Sequence, residues 1–167
     1  MSHLSRLAIS FLVVVRIYER LSKTFSGAQS AEDGALARIM TKWLITFAGD
    51  AKRKWKFVEF GGLTGAESRG IVDILAIRKD HGQEVKGLKR GDLFEMIFIQ
   101  TKGGTSPRPN EEDLKRLSRL ARIYDAKAVV LAEWKKGTHL QLYRLEGRKW
   151  CMTTSKEVFG TNLASHR

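Results

Sequence analysis

Two apolar runs constrain this chain more than anything else in it. They are RGIVDILAIRKD, from Arg69 to Asp80, and LFEMIFIQTKGG, from Leu93 to Gly104, with a polar, glycine-containing segment between them. Stretches so rich in β-branched and aromatic residues form buried strands. Each nevertheless carries polar groups where a buried strand should hold hydrocarbon: Asp73 in the first, Gln100 and Lys102 in the second. A polar group in apolar surroundings costs free energy unless it is paired or used. Side chains alternate across a strand, so Gln100 and Lys102 share a face with Met96 and Phe98, while Glu95, Ile97, Ile99 and Thr101 take the other. If the two runs pair as neighbours, a carboxylate, an amide oxygen and an ammonium converge on one spot.

The flanking sequence supplies helices and further strands in a definite order. Ser30 has the character of an N-cap with Asp33 three residues on, and Glu32 and Asp33 suit the positive end of a helix dipole. The helix is expected to run to about Ala48, with Leu36, Ile39, Met40, Trp43, Leu44 and Phe47 inward and Gly49 ending it. A first strand is expected within Lys52 to Phe60, then a glycine loop at Gly61, Gly62 and Gly65, and a long hairpin loop from Lys79 to Asp92. After Lys102, Gly103 and Gly104 permit close approach of backbone to a ligand, and Pro107 and Pro109 forbid continuation of the strand. Asn110 caps a helix whose inward stripe is Leu114, Leu117, Leu120, Ala121 and Tyr124. Lys115, Arg119 and Arg122 fall on another face of it, either to meet phosphates or as an ordinary solvated surface. Ala128 to Ala132 is a central strand parallel to the Gln100 strand, and His139 to Leu145 a more polar edge strand. The tail from Gly147 carries no clear pattern.

An Asp on one strand, followed on the next by an acid or amide two residues before a Lys, resembles the PD-(D/E)xK nuclease superfamily. With Gln100 in the middle position the chain is similar to Mrr-type restriction endonucleases and to transposon-end nucleases. The likeness covers residues 31 to 134 as an order of elements and three residues as a motif. It implies an α/β, restriction-endonuclease-like core (αβββαβ), with a central mixed sheet flanked by helices. One domain over residues 1–167 would hold that core in 31–145 and an extra helix in 1–25. It also implies metal-dependent hydrolysis of phosphodiester bonds in DNA, duplex or branched. Asp73 would be the essential anionic ligand to Mg²⁺ or Mn²⁺, Gln100 and the Thr101 backbone carbonyl neutral ones, and Lys102 the group that orients or deprotonates water. In this superfamily the first core helix often gives the site an acid, and Glu32 matches that position. Spacing puts Glu32 on nearly the same side as the core stripe, although a solvated Glu serving the dipole reads equally well; Asp33 and Glu67 stand in reserve. The competing explanation of the motif is an Asp73 to Lys102 ion pair with Gln100 hydrogen-bonded nearby. A nuclease fold that binds nucleic acid without cutting it, or works only as a subunit, is the alternative function, and a basic RNA-associated protein a third.

Composition narrows the partners. The 30 Lys and Arg against 18 Asp and Glu give a net charge of +12, which points to a polyanion, with nucleic acid favoured over an anionic membrane. A single cysteine, Cys151, excludes internal disulfides and cysteine-built metal clusters and fits a reducing cytoplasm. None of the four histidines has a second at helical ligand spacing. The apolar segment Leu7 to Val15 is too short to span a bilayer, which takes about 20 residues. With Leu4, Tyr18, Leu21 and Phe25 it continues an amphipathic stripe, read as a buried helix or as a homodimer contact.

Overall fold

The computed structural model describes residues 29–47, 54–60, 70–104, 106–134 and 139–160, with side chains in the first segment from Asp33 onward. The expected helix and dimer contact in 1–25 therefore lie outside the described residues. So do the glycine loop and Glu67. The elements are α1 (Gln29–Phe47), β1 (Lys56–Glu59), β2 (Ile74–Lys79), β3 (Phe94–Gly103), α2 (Glu111–Ile123), β4 (Ala128–Trp134), β5 (Gln141–Glu146), β6 (Lys149–Thr153) and α3 (Ser155–Phe159). From α1 to β4 this is the expected order of helix, three strands, helix, strand.

The strands form one mixed sheet in the order β1-β2-β3-β4-β5-β6. Among the described pairings only β3 to β4, joined through α2, is parallel. The antiparallel β2 to β3 pairing matches Ile74 with Ile99 and Arg78 with Glu95, as the two-run reading requires. Alternation sorts the core into two layers. Ile74, Ala76, Ile97, Ile99, Val130 and Ala132 face Ile45 of α1 and Phe159 of α3. Phe98 and Val129 face Leu117 of α2 with Ile71. Asn110 caps α2 through the Asp113 N–H, and the Asp113 carboxylate returns a bond to the Asn110 N–H.

Four expectations need correction. Helix α1 starts at Gln29, so Ser30 lies inside its first turn rather than capping it. Its buried stripe is Ala37, Met40, Thr41 and Ile45, while Ile39 and Phe47 are exposed. The stripe is turned by about one residue because Thr41 satisfies its hydroxyl on the Ala37 carbonyl at 2.7 Å and so enters the core as a small side chain. Tyr124, assigned to the inner face of α2, is exposed and meets Phe98 edge-on. Finally, β5 is not the edge: Gly147, at φ +62°, turns the chain into β6, and α3 follows under its own Thr154 to Glu157 capping box. No described helix is long and apolar enough to cross a membrane.

Candidate active site at the end of strands β2 and β3

Asp73 precedes β2 by one residue. Its N–H donates to the Ile99 carbonyl at 2.9 Å, and Ile74 also pairs with Ile99, so residues 73 and 74 both oppose Ile99. Two residues facing one is the arrangement of a β-bulge, which re-aims a side chain at the end of a ladder. The Asp73 carboxylate uses that freedom: Oδ2 accepts from the Thr101 N–H at 2.6 Å and from the Thr101 hydroxyl at 3.0 Å. On β3 the Ile99 carbonyl faces β2, and the Met96 carbonyl accepts from Lys127 on the β4 side. Backbone groups alternate in this way along the strand, so Thr101 turns both its N–H and its carbonyl into the gap that β2 leaves. Asp73 occupies the N–H.

Gln100 and Lys102 project to the α2 side, opposite the Thr101 hydroxyl. The Asp73 carboxylate, bonded to Thr101, therefore does not lie on the strand face that Gln100 and Lys102 share. Gln100 is only 9% exposed, and its Oε1 is buried with no hydrogen-bond partner among the described residues. Burying an amide oxygen without a donor costs roughly 1–3 kcal/mol, so this one has a use or is a defect. Among the described residues no ion pair joins Lys102 to Asp73, so the competing ion-pair explanation of the motif is not what forms.

Close by, β4 contributes a pair that the sequence reasoning missed. Glu133 is the register partner of Lys102 and only 5% exposed. Its two carboxylate oxygens accept from Arg108 Nε at 3.2 Å and Nη2 at 2.8 Å. The guanidinium lies over the Tyr143 ring at 4.1 Å, and the hydrogen bond to Glu133 leads the causes that raise its pKa. Glu133 was detectable by the rule that found Asp73, an acid inside an apolar run, but the expected strand was cut at Ala132.

The glycines after Lys102, expected to let backbone approach a ligand, instead lie against protein backbone. A Cβ on Gly103 would collide with the Asp33 carbonyl group and the Gly34 nitrogen, and one on Gly104 would lie 2.8 Å from Asp33 Oδ2. The first turns of α1 are thereby pressed against the end of β3, and the Asp33 carboxylate stands beside the residue that follows Gly103. Glu32 belongs to the same turn, with its side chain outside the described set. Lys115, Arg119 and Arg122 are exposed on α2.

A hard cation is compatible with these donors. Among the described residues no group of three His, Cys, Asp or Glu side chains could hold a metal. The Asp73 carboxylate and the Thr101 carbonyl face the end of β2, and the Gln100 Oε1 lies on the α2 side of β3; all three are oxygen, the donor type that suits Mg²⁺ with several waters retained.

No protein-family model matches this chain, and no curated protein does either. Among solved structures the chain is similar to Hjc, a Holliday junction resolvase from Archaeoglobus fulgidus. The TM-score is 0.37 at 12% identity, covering 75% of this chain and 88% of that one. At that level of likeness no property of the resolvase transfers to this chain.

Proposed function

We propose that this chain is a metal-dependent nuclease that hydrolyses phosphodiester bonds in DNA, with its active site at the Asp73, Gln100, Thr101 and Lys102 rim. The observation that carries the proposal is the Gln100 Oε1, a buried acceptor that lacks a donor among the described residues and lies one residue along β3 from the Thr101 that holds the Asp73 carboxylate. A cation supplies what that oxygen lacks more cheaply than rearrangement of a central strand.

Asp73 and the two carbonyl oxygens would hold Mg²⁺ or Mn²⁺, which supplies neutralisation of phosphate charge and acidification of a bound water. Thr101 keeps the Asp73 carboxylate fixed through two hydrogen bonds, so little ordering is left when substrate arrives. Lys102 would orient the attacking water and stabilise the charge that develops on the scissile phosphate. Asp33, or Glu32 from the same helical turn, would add the second negative charge that the neutral Gln100 withholds. The net charge of +12 draws the polyanion to the protein.

Nicking of supercoiled plasmid in Mg²⁺ or Mn²⁺ tests the proposal. Wild type should cut, chelator should stop it, and Asp73→Asn or Lys102→Ala should lower the rate at least 100-fold. Full activity in either variant overturns it. One observation favours a second reading, binding without cleavage: Asp73 is already engaged by Thr101. That reading predicts no cutting by wild type in either metal and equal DNA affinity with and without chelator.

A further inference from the structure

At the other end of β2 lies a concavity of about 380 Å³ whose lining among the described residues includes Lys54, Lys56, Arg78, Lys79 and His81 and no acid. From the sheet edge β1 contributes Lys56, which pairs with Ile77, so the lysines of both strands gather at one corner. Lys54, Lys56 and Lys79 are exposed, and no ion pair forms with any of them among the described residues. The two acids nearest in the ladder are already committed. Asp80 accepts from the Gly82 N–H at 2.7 Å, and Glu95 accepts from Arg78 at 2.9 Å and Lys127 at 2.6 Å.

Arg78 stands between Ile77 and Lys79, so alternation turns its side chain to the opposite face of β2, where Glu95 meets its charge. Only 4% exposed, it is stacked over Trp55 at 4.3 Å and tied to Glu95 through Nη2 alone. Its Nε and Nη1 are buried with no hydrogen-bond partner among the described residues. Like charges held around one hollow repel each other, and an anion that enters it relieves that repulsion.

We propose that this pocket binds a phosphate group of a nucleic-acid backbone, at a site separate from the Asp73 rim. Six residues of strand separate Asp73 from Lys79, about 20 Å at a strand's rise, or roughly six phosphate steps along one strand of a duplex. A nucleic acid lying along β2 would thus be held at one end while its scissile bond sits at the other. The pocket would contact the backbone, so it would add affinity without sequence preference.

The test uses the full chain in chelator, so that it is independent of cleavage. The Trp55 indole N–H, which donates to the Phe159 carbonyl at 2.7 Å, and the His81 ring are followed by NMR during titration with inorganic phosphate, a mononucleotide and a short duplex. Saturable shifts of both residues are expected with each, tightest for the duplex. In Lys54→Gln/Lys56→Gln/Lys79→Gln the shifts should vanish. The slope of log affinity for duplex against log salt should fall by about 0.9, for the one phosphate no longer neutralised. The lysines are exposed, so the variant should fold as wild type does. Non-saturating shifts, an unchanged slope, or tighter binding of the mononucleotide than of the duplex would each overturn the proposal.

Discussion

Replacing Gln100 by Met asks whether the orphaned oxygen is a functional cost or a structural detail. Met has nearly the same length and shape and lacks the buried Oε1 that has no donor. Removing an unsatisfied amide from a site 9% exposed should recover about 1–2 kcal/mol. For a chain of this size 1 kcal/mol is about 3 °C, so in chelator the variant should melt about 3–6 °C above wild type. Metal reverses the order. A cation present at 100 times its dissociation constant stabilises wild type by about 2.7 kcal/mol, and the variant should gain far less. Calorimetric melting of both proteins in EDTA and in Mg²⁺ reads the whole comparison. If Gln100→Met melts lower than wild type in EDTA, or gains as much from Mg²⁺, the oxygen is not held for a cation.

Other consequences follow from the same geometry. Gly103→Ala puts a methyl group into the backbone of Asp33 and Gly34; overpacking of this kind costs about 3 kcal/mol, and urea unfolding together with loss of nicking should register the displaced α1. Burial pushes the Glu95 carboxyl up, but hydrogen bonds from Arg78 and Lys127 outweigh it and hold the pKa below the ordinary glutamate value near 4.5. A depressed folded-state pKa contributes stability that is present above that ordinary value and lost as pH falls through the folded one. Melting temperature should therefore drop more steeply below pH 4.5 in wild type than in Glu95→Gln. Arg108→Ala removes both guanidinium bonds to the buried Glu133 and should cost about 1.5 kcal/mol, the lower end for charged hydrogen bonds because the arginine is 41% exposed. Chemical denaturation would refute that figure by showing no change.

How much was legible depended on whether a residue's surroundings were local. The β2 to β3 pairing, the parallel β4 and the Asn110 cap all follow from short-range pattern, and each is present. The rotation of the α1 stripe was not legible, because a threonine that bonds its own helix looks polar in sequence and behaves as a core residue in place. Strand β6 escaped for a different reason: the Gly147 turn was visible as a glycine, but Cys151 and Met152 lie on a half-exposed edge and show no alternation. At the rim, the three motif residues stood out as exceptions in apolar runs. The bulge at Asp73 did not, since one extra residue opposite Ile99 is a property of the pairing and not of either strand alone.

The central claim is that an aspartate at a strand end and an amide oxygen on its neighbour share one cation. Crystals of the protein soaked in Mn²⁺ and measured at the manganese edge test it without any assay of activity. An anomalous peak within about 2.5 Å of both the Asp73 carboxylate and the Gln100 side-chain oxygen is the predicted result. A fully soaked crystal with no peak there, or with manganese bound only at other carboxylates, would contradict it.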